Sequence, residues 1–124
     1  MAPHMRVLLV DDDPLILDSI ADVLSIDGHE VAVASSGRAA LDRFSSALAT
    51  SAPFDAVVTD LGMPVINGIQ VANQVRAWSE SVRIVLLTGW GERAREHKDF
   101  PDTVNHLLAK PVRIEELRAA LSPA

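Results

Sequence analysis

The sequence predicts an α/β fold, with one parallel sheet carrying helices on both faces. Three observations predict it. Five short runs, residues 6–10, 30–34, 56–59, 83–88 and 104–108, read as β-strands, and several are almost continuously apolar, as strands covered on both faces are. The stretches between them carry apolar residues at helical spacing. Residues able to do chemistry stand at or just past the ends of three of these runs: Asp11-Asp12-Asp13, Asp60 and Lys110.

Each element has its own justification. The first strand, Val7-Leu8-Leu9-Val10, runs into the aspartate triplet. Pro14 suits the first turn of the helix that follows, where no hydrogen bond is lost, and Asp13 suits its cap. Ile16, Ile20, Val23 and Leu24 obey the i, i+4, i+7, i+8 rule, and Gly28 suits the stop. Gly37 opens the second helix. Met63-Pro64 starts the third helix or the loop leading to it, and Gly68 is expected to relieve a strained turn. Val71, Val75 and Trp78 mark the core stripe of the third helix. Residues 91–100, highly charged and poor in apolar residues, give the faintest helical pattern. Ile114, Leu117 and Leu121 mark the last helix. The order is therefore βαβαβαβαβα, which right-handed crossovers wind onto both faces of a parallel sheet. Ligands in such sheets bind beyond the carboxyl ends of the strands, near the switch in strand order.

Composition excludes several classes. A chain of 124 residues makes one domain, here placed at residues 5–122, and 48% hydrophobic residues support an ordinary core. The absence of cysteine excludes a disulfide scaffold and thiolate chemistry, and fits a reducing compartment. No apolar run approaches the roughly 18 residues of a membrane span, and no signal-peptide pattern opens the chain, so the cytoplasm is the expected location. A net charge of -6 argues against nucleic acid as a direct partner. Arg93, Arg95 and Lys98 alternate with Glu92, Glu96 and Asp99 as on a solvated helix face. Residues 1–4, before the second methionine, Met5, are either a tag remnant or a native disordered terminus.

The candidate site follows from the strand ends. Asp11, Asp12 and Asp60 would repel one another if brought together, and a hard divalent cation relieves that repulsion. Asp60 is the best nucleophile, since carboxylates form aspartyl-phosphates. Lys110 offers a positive charge to a phosphate oxygen. Thr88 ends another strand with a hydroxyl. Lys110-Pro111 is a candidate cis peptide. The histidines do not form a metal-ligand spacing; His29 and His97 read as surface residues, and His106 lies beside the final strand. Trp90 follows Thr88-Gly89 on the active edge, where it would flank the pocket.

Four motifs in order, Val7-Leu8-Leu9-Val10-Asp11-Asp12-Asp13, Thr59-Asp60-Leu61-Gly62-Met63-Pro64 with Gly68, Leu86-Leu87-Thr88-Gly89 and Leu108-Ala109-Lys110-Pro111, make the chain resemble a receiver domain of two-component response regulators. The Asp-Leu-Gly-Met-Pro and Thr-Gly-Trp-Gly variants are similar to receivers attached to hybrid sensor histidine kinases. The resemblance implies a single (βα)5 doubly wound sandwich of flavodoxin-like type, with five parallel strands in the order 2-1-3-4-5. It implies a phosphorelay module in which Asp60 is the phosphoacceptor. Asp11, Asp12, Asp60 and the Gly62 carbonyl would hold Mg²⁺, or Mn²⁺ in its place. Thr88 and Lys110 would contact the phosphoryl group, and Pro111 would join the cis peptide. A histidine kinase or histidine phosphotransfer protein is the implied partner, and the protein is expected to be a monomer or a phosphorylation-dependent dimer. The family often has an aromatic residue three positions before the lysine; here Leu107 stands there, which puts an aromatic relay in doubt. The last helix ends close to Ala124, so no effector domain is expected within this chain, which is either a stand-alone regulator or a fragment of a larger kinase.

Two other readings compete. A pseudo-receiver would bind partners without phosphorylation, with Leu107 as its support. A small phosphatase of the haloacid dehalogenase type would use Asp11-Asp12-Asp13, but Pro14-Leu15 breaks its pattern and Asp60 would lose its role.

Overall fold

A computed structural model of the chain describes residues 4–89 and 102–122. Within them five strands and four helices follow one another: β1 (Arg6–Val10), α1 (Pro14–Ile26), β2 (Glu30–Ala34), α2 (Gly37–Leu48), β3 (Ala56–Asp60), α3 (Gly68–Trp78), β4 (Arg83–Thr88), β5 (His106–Ala109) and α4 (Ile114–Leu121). All strand pairs are parallel, in the order β2-β1-β3-β4-β5. The alternation predicts the parallel sheet, and the resemblance implies this strand order. The expected helix at residues 91–100, together with Trp90 and His97, lies outside the described residues.

Strand alternation builds two cores. Val7, Leu9, Val58, Val85 and Leu87 meet Leu17, Ile20 and Leu24 of α1 and Leu117 and Leu121 of α4 on one face. Leu8, Val10, Val57 and Ile84 meet Ala40 and Phe44 of α2 and Val71 and Val75 of α3 on the other. Every residue of β3 is buried.

The helix starts are made locally. The Asp13 side chain accepts from the Leu15 N–H, and Pro14 occupies the first turn of α1. Ser36 caps α2 through the Ala39 N–H. Asn67 and Gln70 cap α3 reciprocally. Gly28, at φ +93°, closes α1 as expected.

Several expectations need correction. Trp78, the last residue of α3, is 42% exposed, and its ring stacks on the buried Phe44 at 6.2 Å instead of entering the core. Ile114 is 44% exposed at the first turn of α4, while Leu117 and Leu121 are buried. β3 runs one residue further, to Asp60, which pairs with Leu87. β5 begins at His106 and not at 104, because the Asn105 side-chain oxygen, in place of a main-chain carbonyl, accepts the Ile84 N–H. His29 is half-buried, and its Nδ1 accepts from the Met5 N–H at 3.1 Å.

Arginines brace the amino edge of the sheet. The Arg76 guanidinium donates to the carbonyls of Ser79, Glu80, Val82 and Thr103 and to Asn105 Oδ1. Arg83 donates to the Ala120 and Ser122 carbonyls at the end of α4. Arg118 makes a two-pronged pair with Asp27 at 2.8 and 2.9 Å. That pairing holds the Asp27 carboxyl below the usual range, chiefly through the hydrogen bond from Arg118. The start of α4 differs: Arg113 stands at its N-cap with no side-chain bond to the helix.

Candidate functional site

The carboxyl edge gathers side chains from three strands. Asp11, just past β1, is 1% exposed; Asp60, the last residue of β3, is 7% exposed; Asp12 is exposed. Carboxylate oxygens of these three residues lie within 4.8 Å of one another. The sheet enforces this closeness, since β1 and β3 are hydrogen-bonded neighbours in register up to Val10–Thr59. Asp11 is further fixed by its Oδ1, which accepts the Asp13 N–H at 2.9 Å.

Lys110 reaches in from the end of β5. Its Nζ stands 2.9 Å from Asp11 Oδ2 and 3.0 Å from Asp60 Oδ1. Burial works against the ammonium, but the hydrogen bonds and charges of Asp11 and Asp60 outweigh it, so the Lys110 pKa sits above the ordinary lysine value. The lysine therefore stays charged. Its N–H donates to the Thr88 carbonyl at 2.8 Å, which places Thr88, buried at the end of β4, beside it. The Lys110–Pro111 peptide is cis.

One ammonium does not balance three carboxylates. The set is all hard oxygen, two members buried and one open to solvent, which suits Mg²⁺ with part of its water retained. An apolar hollow of about 300 Å³ opens beside Lys110, lined by Leu15, Ile16, Ser19, Ile20, Pro111 and Val112.

The loop from β3 to α3 shapes the rim. Gly62 is exposed at its start. Gly68 is buried, and a Cβ there would overlap the Asp60 carbonyl oxygen. The sequence pointed to the right glycine for another reason: Gly68 has no left-handed φ, and the constraint is close approach. The left-handed residue is Val65, at φ 68°, with the Ile66 N–H donating to the Pro64 carbonyl across it. That γ-turn is rare for a β-branched residue. A β-branched residue carries no turn signal, so this turn is not legible in the sequence. Leu107 is half-buried on β5 opposite Leu86, and His106 is exposed.

A doubly wound parallel sheet with an acidic triad and a lysine at its carboxyl edge defines a class of flavodoxin-like proteins. The family model described as the response regulator receiver domain matches residues 7–122, and the chain belongs to that family. Among curated relatives, the response regulator MprA of Mycolicibacterium vanbaalenii is 34% identical over 117 residues, covering 94% of this chain and 48% of the relative. The chain thus spans about half the length of the curated relatives it matches. Among solved structures, a receiver domain protein from Clostridium thermocellum has a TM-score of 0.83 at 29% identity, covering 94% of this chain and 90% of that one. The response regulator TrrA of Thermotoga maritima, solved in complex with Mg²⁺-BeF, has a TM-score of 0.80 at 29% identity, covering 93% and 94%. Receiver domains are signalling modules of two-component systems and bind Mg²⁺ at this acidic site. Among the described residues no helix is long and apolar enough to cross a membrane.

Proposed function

We propose that this chain is a phosphorylation-dependent switch whose acceptor is Asp60. A histidine kinase or histidine phosphotransfer protein supplies the phosphoryl group: the donor's P–N bond breaks and a bond from an Asp60 oxygen to phosphorus forms. The carrying observation is the Lys110 ammonium, bonded at once to Asp60 and Asp11. That ammonium orients the Asp60 carboxylate through its hydrogen bond, and it remains to meet a phosphoryl oxygen. Asp11, Asp12 and Asp60, with the Gly62 carbonyl, would hold Mg²⁺, for which Mn²⁺ can substitute, and the bound cation would offset the charge of the transferring group. The working domain is residues 5–122. The apolar hollow beside Lys110 gives the donor protein a surface to bury next to the chemistry.

Phosphorylation adds roughly -1.5 to -2 charge and strong acceptor oxygens. Thr88 and Lys110 gain a partner, and the ends of β4 and β5 that carry them shift. Leu107 has no ring, so this response passes through the main chain at Thr88–Lys110 and not through an aromatic rotation. The domain catalyses nothing beyond its own phosphotransfer and dephosphorylation.

Incubation with a small phosphodonor and Mg²⁺, followed by intact mass measurement, tests the assignment. Wild type gains one phosphoryl group, lost on chelation, and Asp60→Asn gains none. A gain retained in Asp60→Asn would move the acceptor elsewhere; no gain in wild type would favour a pseudo-receiver. Thr88→Ala is expected to take up phosphate while losing most of the phosphorylation-induced NMR shift changes seen in wild type. Equal shift changes in both proteins would remove Thr88 from the switch.

A further inference from the structure

We infer that Thr59 is a positioning residue for Asp60: its buried hydroxyl and the bare Cα of Gly68 together fix the Asp60 main-chain carbonyl, and through it the aim of the carboxylate. The inference rests on the reading of Asp60 as the acceptor.

Thr59 is fully buried. Alternation along β3 puts its side chain on the same face as Val57, against α2 and α3, and the Asp60 carboxylate on the opposite face with Val58. The Thr59 side chain therefore points away from the face that carries the Asp60 carboxylate. A hydroxyl in an apolar core is costly unless it is bonded. This one donates to the Asp60 carbonyl at 3.1 Å.

That carbonyl lies where the ladder runs out. Pairing with β1 stops at Val10–Thr59, one residue short of Asp60. On the other side Asp60 pairs with Leu87, and the Leu61 N–H donates to the Leu87 carbonyl at 2.8 Å, so the Asp60–Leu61 peptide is tied to β4 while its carbonyl lies past the end of the β1 pairing. Two further contacts reach the carbonyl itself. The Thr59 hydroxyl holds the carbonyl oxygen from within β3, and Gly68 lies so close that a Cβ would overlap that oxygen and come within 2.9 Å of the carbonyl carbon. Together with the Leu61 N–H bond to Leu87, these contacts limit how the peptide next to the Asp60 Cα can turn, and the side chain leaves that Cα with its Oδ1 3.0 Å from Lys110 Nζ. Reacting groups are sensitive to such placement: an error of about 1 Å can cost on the order of a hundredfold in rate.

Two substitutions separate the hydroxyl from its packing. Thr59→Val keeps the β-branched shape and removes the donor. Thr59→Ser keeps the donor and removes the methyl. Phosphoryl uptake from a small phosphodonor, followed by intact mass well below the melting temperature, is compared with Tm and with Mg²⁺ affinity by calorimetry. Thr59→Val is expected to be phosphorylated roughly tenfold more slowly and to bind Mg²⁺ several-fold more weakly. Thr59→Ser should stay within about twofold of wild type in both, although its lost methyl lowers Tm by roughly 3–5 °C. Rates that follow Tm across the pair and ignore the hydroxyl would overturn the inference, as would a Thr59→Val rate equal to wild type. Absence of uptake in wild type is a different outcome, since it removes Asp60 as acceptor.

Discussion

At the carboxyl edge of the sheet three carboxylates gather, and one ammonium bonds two of them, Asp11 and Asp60. At the amino edge the arginine forks of Arg76, Arg83 and Arg118 each meet carbonyls or a carboxylate from another element. One edge concentrates charge of one sign and leaves it unbalanced; the other disperses charge and satisfies it. The planar fork of arginine is suited to the second task, because it bonds several oxygens at fixed geometry. A compact point charge such as Lys110 suits the first, because it can turn from a carboxylate to an incoming phosphoryl oxygen. Not all the amino-edge pairs carry equal weight. Arg6–Glu30 and Arg118–Asp27 are substantially exposed, and such pairs contribute little. Arg76, bonded mainly to partly buried carbonyls, does most of the bracing.

The contrast can be broken from either side. The largest effect is expected from Gly68→Ala, whose methyl would press on the Asp60 carbonyl. Urea unfolding should show a loss of about 2–4 kcal/mol, with phosphoryl uptake impaired as well. Next comes Arg76→Gln, which leaves the Ser79, Val82 and Thr103 carbonyls without their donor; a loss of about 2 kcal/mol is expected, with the uptake rate per folded molecule unchanged. A fall in that rate would mean that the two edges are coupled. A smaller effect belongs to pH. The folded Asp27 carboxyl is held below its ordinary 3.8 by Arg118, so its contribution is present above that value and is lost as pH falls through the folded value. The stability difference between wild type and Asp27→Asn should therefore be flat from about pH 5 to 8 and shrink below about pH 4. The smallest effect is a gain: Val65→Asn, in a conformation that asparagine tolerates, should stabilise the protein by about 1 kcal/mol by equilibrium unfolding.

Much of the carboxyl edge was legible because strand ends announce themselves. Apolar runs stop where Asp11, Asp60 and Lys110 begin, and parallel topology sends those ends to one side. The bracing edge was not legible. Arg76 and Arg83 look like ordinary solvated residues in sequence, since nothing local tells which distant carbonyls an arginine will reach. Trp78 and Ile114 were misplaced for a related reason. Helical spacing identifies a face but not where the sheet beneath that face ends, and both residues stand at helix termini. Gly68 shows a third kind of gap. A glycine signals freedom or closeness, and only the position of the Asp60 carbonyl decides between them.

The uneven fastening of α4 has a mechanical consequence. Its end is held by Arg83 and Arg118, and its start, four residues beyond Lys110, has no side-chain cap. Eight residues of helix make an arm of roughly 12 Å. With the far end as fulcrum, a displacement of about 1 Å near Lys110 becomes a tilt of roughly 5° for an arm of that length. Ile114 and Glu115, farthest from the fulcrum, sweep the longest arc, while the Arg83 bonds to the Ala120 and Ser122 carbonyls hold the far end.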